Sequence, residues 1–445
     1  MIELPTLYAR SRNGAITQWR VSTSADVVIT EFGKLGGKQT KHMDRVKSTN
    51  VGRANARIGE AQADAEAKSA WEKKLREGYF TSVETAQTAM VLLPMLAHPF
   101  EKKAKKNGID IKVERDVNWN HVFIQPKLNG LRGLTLYYAP DMDLFKDMAE
   151  KPATSMPVIR SREGEDWDTL AHIKAELMLM IKPGDIVDGE IYQHGVPLQL
   201  LNSYIKRDQP ETKLLQYHLY DFPARQGKTG TPWQFRWHDL RDAYVRYVVR
   251  RLVDVRTGPI AQKDSSDVET AVDGLSPGSQ LEMFIKALPL QLVPTYTVTH
   301  RGEARDLMQK FISMGFEGAI LRADDRPYEF NDRCEGLLKL KDFEDANFEI
   351  IKVHGRELLK DGTSTMIVDK FEFKNDINER TFEAVPRGTM EQRATWWRER
   401  DSLVGERCIV RFLERSVDQL PVGNPVVLCV RLKEDTGEEN QSMWG

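Results

Sequence analysis

Cysteine is scarce: Cys334, Cys408 and Cys429 are the only three, they lie far apart, and they lack the spacing of metal ligands. A disulfide framework and a cysteine-based zinc site are thereby excluded, and the three read as small core residues. Long apolar runs are missing as well. No stretch reaches the about 18 consecutive apolar residues of a membrane span. The opening Met1-Ile2-Glu3-Leu4-Pro5 has no basic, apolar and small-residue order of a secretory signal. The sequence therefore predicts a soluble cytoplasmic protein with no membrane partner. An excess of one charge is the third absence: 64 Lys and Arg stand against 66 Asp and Glu, for a net charge of -2 at neutral pH. That balance argues against coating nucleic acid by bulk attraction and leaves room only for local basic surfaces.

Such surfaces are there. Between Met1 and Glu60 ten Lys or Arg meet five Asp or Glu, and Lys102-Lys103-Ala104-Lys105-Lys106 forms a second cluster. The cluster reads equally as a solvated helix face or as a phosphate contact. The length suffices for roughly two to four domains, each with its own core. Leu7 to Arg10, Ile16 to Val21 and Val27 to Thr30 read as short strands, the first two joined around Asn13-Gly14. Phe32 to Lys38 reads as a glycine-rich basic turn, and Arg53 to Glu77 as one long helix with Ile58, Ala61, Ala65 and Trp71 among its apolar positions, ending at Gly78.

The stretch Gln125-Pro126-Lys127-Leu128-Asn129-Gly130-Leu131-Arg132 follows the apolar run Val122-Phe123-Ile124 and precedes Leu134, Leu136 and Tyr138. This strand, turn, strand pattern delivers one lysine beside a tight turn. A partly desolvated amine loses its proton more readily and becomes a nucleophile, which suits covalent nucleotidyl transfer. Taken alone, the same lysine also reads as a solvated charge.

Further constellations follow in order. Pro157 to Gly164 is a strand ending in a basic turn, and Trp167 to Ile181 a helix closed by Pro183-Gly184. Asp185 to Tyr192 carries Asp188, Gly189 and Glu190 inside a strand. Leu214 to Phe222 places Tyr217, Tyr220 and Asp221 near a strand end, and Gly315 to Arg322 sets Glu317 at a strand start. Leu337-Leu338-Lys339-Leu340-Lys341 alternates, so both lysines project on one strand face. Each has a plain structural reading as turn, packing or edge strand. Together they supply the amine, carboxylates, ring and cations that adenylyl transfer requires. Beyond Phe343 five short strands, Phe348 to Val353, Thr365 to Val368, Phe371 to Phe373, Cys408 to Phe412 and Val426 to Arg431, suggest a small barrel. Trp396 and Trp397 read as core and surface rather than as a base-stacking platform.

On these residues, from about Met95 to Glu434, the chain resembles the ATP-dependent DNA ligases of the covalent nucleotidyltransferase superfamily, most of all the compact bacteriophage enzymes. Lys127 to Arg132 is similar to the family's K-x-D-G-x-R, with Asn129 in the aspartate position. The resemblance implies that Lys127 carries AMP. It also implies that Gln125, Pro126, Arg132, Arg162, Glu190, Tyr220, Glu317, Lys339 and Lys341 surround the nucleotide. Glu190 would sit by the ribose, Tyr220 on adenine, and Lys339 with Lys341 on the α-phosphate. ATP and Mg²⁺ are the implied cofactors, with Glu190 and Glu317 serving the metal. The first eighty or so residues are similar to a WGR domain, Phe32-Gly33-Lys34 standing where that family has Trp-Gly-Arg.

The expected fold is multidomain α+β. Residues 1–82 form a WGR-like DNA-binding module, 83–94 a linker, 95–344 an ATP-grasp-like nucleotidyltransferase domain of antiparallel sheets with helices, and 345–445 an OB-fold barrel. The implied partner is nicked double-stranded DNA, met by a monomer in the infected or host bacterial cell. Lys34, Lys38, Arg162, Arg431 and Lys433 are the implied DNA contacts. An RNA ligase or capping guanylyltransferase of the same superfamily is the alternative enzyme, and a nick-binding protein without chemistry, suggested by Asn129, the alternative of another class.

Overall fold

The computed structural model describes residues 2–429 apart from 12, 47, 50, 51, 53, 55, 107, 108, 147–155, 258–279, 324, 361, 362, 413, 417, 423 and 424. The chain divides into two compact units, one made of Met1–Gln87, Lys103–Val113 and Lys341–Gly445, the other of Thr88–Lys102 and Glu114–Leu340.

The first unit begins with an antiparallel sheet in the order β1 (Leu7–Arg10), β2 (Ile16–Ser24), β3 (Val27–Lys34), β4 (Gln39–Arg45). The helix Gly59–Arg76 packs Ala67, Ala70, Trp71 and Leu75 on Leu7, Trp19 and Val21, and Trp71 Nε1 donates to the Pro5 carbonyl at 2.8 Å. Two expectations change here. Phe32-Gly33-Lys34 lies within β3 rather than in a turn, because the strand stays paired to its end, Lys34 opposite Thr17 on β2 and Gly33 opposite Gln39 on β4. The helix starts at Gly59 rather than at Arg53, because Thr49 and Arg57 exchange backbone hydrogen bonds of 2.9 and 3.0 Å in a bridge just before it. Its buried positions are Gln62, Ala63 and Ala67, and Ile58 is left exposed. In a run so rich in alanine, side-chain size marks no face.

The second unit holds two five-stranded sheets. Its chain enters through β5 (Leu96–Pro99) and resumes after β6 (Glu101–Lys106) and β7 (Ile109–Glu114), which pair with each other and fall mostly in the first unit, so the lysine cluster is strand rather than helix. The following strands are β8 (Val122–Lys127), β9 (Leu131–Leu136), β10 (Val158–Ser161), β11 (Ile186–Tyr192), β12 (Gln216–Ala224), β13 (Leu290–Leu292), β14 (Tyr296–Val298), β15 (Gly318–Arg322) and β16 (Arg333–Leu340). One sheet has the order β14-β8-β15-β16-β5, the other β10-β9-β11-β12-β13.

Each sheet turns one face to helices. Val122, Ile124, Ala319, Leu321 and Leu338 pack on Ala304, Met308 and Phe311 of the helix Arg301–Ser313. Val187, Ile191, Tyr217 and Leu219 pack on the helices Ala171–Met180, Leu198–Lys206 and Trp233–Thr257. The first of these helices begins at Ala171, not at Trp167, whose N–H instead donates to the Ile159 carbonyl at 2.9 Å. Leu134, Leu136, Ile186, Leu337 and Cys334 form a third core, joined by Leu92 and Met95; Leu92 lies in the expected linker. Each fully buried aliphatic side chain contributes about 1.5–3 kcal/mol.

The first unit ends in a closed barrel of β17 (Glu344–Lys360), β18 (Thr363–Lys374), β19 (Thr381–Pro386), β20 (Arg407–Phe412) and β23 (Val426–Cys429), with the short pair β21 (Glu414–Arg415) and β22 (Pro421–Val422) beside it in sequence. β17 pairs with β20 through Glu349 and with β18 from Ile350, its register shifting at Ile350/Lys352 and His354/Gly355. Such bulges let one long strand bend to serve two partners. Two strands read separately around Val368 and Phe371 are one, β18, and β19 was missed although Phe382, Ala384 and Pro386 alternate inward. Trp396, on the helix Met390–Arg398, closes the core against Phe371 with ring centroids 6.3 Å apart.

Candidate active site

The stretch from Lys127 to Arg132 crosses between the two sheets of the second unit. β8 ends at Lys127, Leu128 is buried in the helix-side core, and β9 begins at Leu131 in the other sheet. The crossing needs glycine: a Cβ on Gly130 would stand 2.6 Å from both Glu190 Cγ and the Ile191 carbonyl. The bare backbone instead lets the Gly130 N–H donate to the Glu190 carboxylate.

Strand register then assembles the site. Lys127 lies opposite Gly318, so Glu317 arrives beside it, and the Lys127 ammonium donates to the Glu317 carboxylate. The Glu317 side chain is 6% exposed. Lys339 lies opposite Ile320 on the next strand. Burial lowers its affinity for a proton, and the neighbouring charges of Lys127, Arg333 and Arg162 lower it further. Among the described residues the Lys339 ammonium has no hydrogen-bond or ion-pair partner, although its carbonyl accepts the Phe100 N–H at 3.0 Å, so the site presents a cation to an anion that the chain does not itself supply.

The facing sheet contributes Glu190, opposite Arg132 on β9 and His218 on β12. Burial raises the Glu190 carboxyl to about 7, with Lys127 and Arg132 acting in the opposite direction. Arg132 Nε donates to Asp188 Oδ1 at 3.0 Å, and its second nitrogen pairs with Oδ2 of the same carboxylate. The Tyr328 hydroxyl also donates to Asp188 and accepts the Met95 N–H at 2.9 Å. Arg132 is therefore held in a planar, two-point grip.

Behind the site lies a second, fully buried network. Asp221 accepts from Arg236 Nε at 2.7 Å, Arg322 Nη1 at 2.8 Å and the Phe222 N–H at 2.8 Å. Burial alone would raise the Asp221 carboxyl, but the two guanidinium groups hold it below its ordinary value. Arg322 also donates to Gln125 Oε1 at 3.1 Å and lies 3.8 Å from the Trp233 ring centroid. The Tyr220 ring lies within 5.4 Å of Arg132 and 5.9 Å of Arg322.

Of the residues singled out by sequence, Lys127, Arg132, Glu190, Glu317 and Lys339 converge, with Tyr220 beside Arg132. Arg162 is exposed in the turn after β10, yet near enough to act on Lys339. Gln125 is 2% exposed, and its amide is spanned by Arg322 and, at 2.8 Å, Thr295. Pro126 lies opposite Ala319. Lys341 follows the last residue of β16 and falls in the other unit. Lys34 and Lys38 are exposed at the β3–β4 connection. Arg431 and Lys433 lie outside the described residues. Sequence reading missed Tyr328, Arg236 and His218. Only Arg236 carried a signal, a cation in an otherwise aromatic segment with Trp233, Phe235 and Trp237.

For a divalent cation the donor set is small. Among the described residues no three His, Cys, Asp or Glu side chains gather. Glu190 and Glu317 are two carboxylates, which matches the way Mg²⁺ is held by one or two carboxylates together with substrate phosphates and water.

No protein-family model matches the sequence, and no curated protein matches it. Among solved structures, one named Pmar-Lig_Pre. overlaps with a TM-score of 0.49 at 19% identity, over 70% of this chain and 63% of that one. A structure of Lig E DNA ligases gives 0.47 at 15% identity, over 77% of this chain and all (100%) of that one. Chlorella virus DNA ligase-adenylate gives 0.36 at 18%, over 78% and 100%. The chain thus spans less than two thirds of the length of the first of these, and the likenesses are partial likenesses of fold.

Proposed function

We propose that this protein is an ATP-dependent DNA ligase that seals nicks through a lysine-bound AMP. The observation that carries the reading is the convergence, from separate strands, of an amine (Lys127), an acceptor for its proton (Glu317), an unpartnered cation (Lys339) and a second carboxylate (Glu190). The motif resemblance likewise makes Lys127 the carrier of AMP and Lys339 a phosphate contact, and puts Glu190 and Glu317 at the metal.

In the first step the Lys127 amine gives its proton to Glu317 and its nitrogen bonds the α-phosphorus of ATP. The bond from that phosphorus to the bridging oxygen breaks, and pyrophosphate leaves. Lys339 and Arg162 hold phosphate oxygens, and Arg132, fixed by Asp188, orients the nucleotide, so positioning and charge neutralisation supply the rate. Glu190 and Glu317 would hold Mg²⁺ together with the phosphates, and the ion when bound neutralises charge on the leaving group. A 5′-phosphate oxygen at the nick then displaces the lysine from phosphorus, and the neighbouring 3′-hydroxyl displaces AMP.

Residues 1–82, read as a WGR-like module, and the barrel, read as an OB-fold, would contact the duplex. Phe32 stacks on His42 with centroids 5.4 Å apart, close to exposed Lys34 and Lys38. Binding would then weaken steeply with salt. Incubation with α-labelled ATP tests the proposal: label should appear on the wild type, map to Lys127 and vanish in Lys127→Ala. Sealing assays on nicked DNA, nicked RNA and RNA 5′-ends separate the superfamily's activities. An unlabelled wild type that still binds nicked DNA would leave a binding protein.

A further inference from the structure

Glu190 and His218 are directly opposed on β11 and β12, so their side chains rise from the same face of the sheet, the face that also carries Arg132 and Tyr220. His218 Nε2 is buried and has no hydrogen-bond partner. Buried polar atoms are nearly always satisfied, and an exception in a folded site calls for a missing partner. The nearest ring, Tyr192, meets His218 edge-on at 5.2 Å and turns its hydroxyl to His194 Nδ1 at 2.7 Å.

The missing partner's chemistry is narrowed by what stands around it. A carboxylate beside an imidazole, which carries one donor and one acceptor nitrogen, matches adjacent hydroxyl groups, each of which both donates and accepts. Resting on the nucleotidyl-transfer reading above, we infer that His218 binds a ribose hydroxyl of the nucleotide beside Glu190 and so makes the site select ribonucleoside over deoxyribonucleoside triphosphates.

The test is the rate of covalent labelling with ATP, 2′-deoxy-ATP and 3′-deoxy-ATP. Wild type should prefer ATP over at least one deoxy analogue by about tenfold in kcat/KM, the size of one hydrogen bond. His218→Leu should lose that preference through a rise of about tenfold in KM for ATP, leaving the analogue unchanged. His218→Gln, which restores a donor and an acceptor, should recover part of it. Because Leu replaces an unpartnered buried polar group with an apolar one, the fold should be kept, and thermal unfolding checks this. Equal loss for ATP and both analogues, or a preference intact in His218→Leu, overturns the inference while leaving nucleotidyl transfer standing. A wild type that takes no label overturns both.

Discussion

Asp221 offers the sharpest test of how the site is supported. Its carboxylate is fully buried and shared by Arg236 and Arg322, themselves 2% and 4% exposed. Asp221→Ala leaves two buried guanidinium groups facing one another with their common counter-charge removed. Breaking a buried ion pair by deleting one partner costs about 3–5 kcal/mol. Arg236 keeps the Thr231 and Arg326 carbonyls at 2.6 and 2.9 Å, which limits its share of the loss, whereas Arg322 keeps only the Gln125 and Tyr220 oxygens at 3.1 and 3.3 Å. At about 2–4 °C per kcal/mol for a unit of this size, the melting transition should fall by roughly 6–20 °C. Calorimetry reads it directly. Glu379→Ala is the control: its partner Lys374 and Glu379 itself are 48% and 89% exposed, and exposed pairs contribute about 0–1 kcal/mol. Replacing all three buried charges by Leu, Met and Met should recover most of the loss. A melting point for Asp221→Ala within about 2 °C of wild type would refute the reasoning.

Other outcomes follow from the same geometry. Because the Glu190 carboxyl is raised to about 7 in the folded protein, the folded state holds a proton that the unfolded chain releases from about pH 4.5. Stability should therefore fall by about 3 kcal/mol as pH rises through that window, and Glu190→Gln should flatten the slope in urea titrations at each pH. Gly130→Ala must push Glu190 and the Ile191 carbonyl from contacts of 2.6 Å. It should cost about 1–3 kcal/mol in denaturant and reduce AMP labelling, whereas Gly14→Ala, strained by its φ of +81° but belonging to the first unit, should leave labelling nearly unchanged. Lys339→Met should weaken ATP binding by about tenfold or more, the value of a charge-assisted contact, in a competition titration; unchanged affinity would remove Lys339 from the phosphate site.

Local pattern made much of this legible. The apolar lead into Lys127, the Asp188-Gly189-Glu190 strand and the Glu317-Gly318 strand start all rest on period-two alternation and glycine position, which neighbours in sequence suffice to set. Pairings between distant segments were not legible. The Asp221–Arg322 contact spans 101 residues and the Tyr328–Asp188 contact 140, and no periodicity encodes either. Nor did sequence reveal the Lys127–Glu317 ion pair, which joins residues 190 positions apart. In the alanine-rich helix and in β19 the misreadings were local. In the first, small residues hid the buried face; in the second, the strand is only six residues long and ends on Pro386, so its three inward positions made a weak pattern.

The segment before β5 decides where a shortened chain can start. The Leu93 carbonyl accepts the Asn331 N–H at 2.9 Å, the Met95 N–H reaches the Tyr328 hydroxyl at 2.9 Å, and the Leu96 N–H meets the Asp332 carbonyl at 2.8 Å. Those three stitches, with Leu92 and Leu93 buried beneath them, tie residues 92–96 to the loop that secures Asp188 and hence Arg132. Truncation at residue 95 would unpick the grip on Arg132 from thirty-odd positions upstream. A cut near Thr88, where the compact unit begins, would leave it whole.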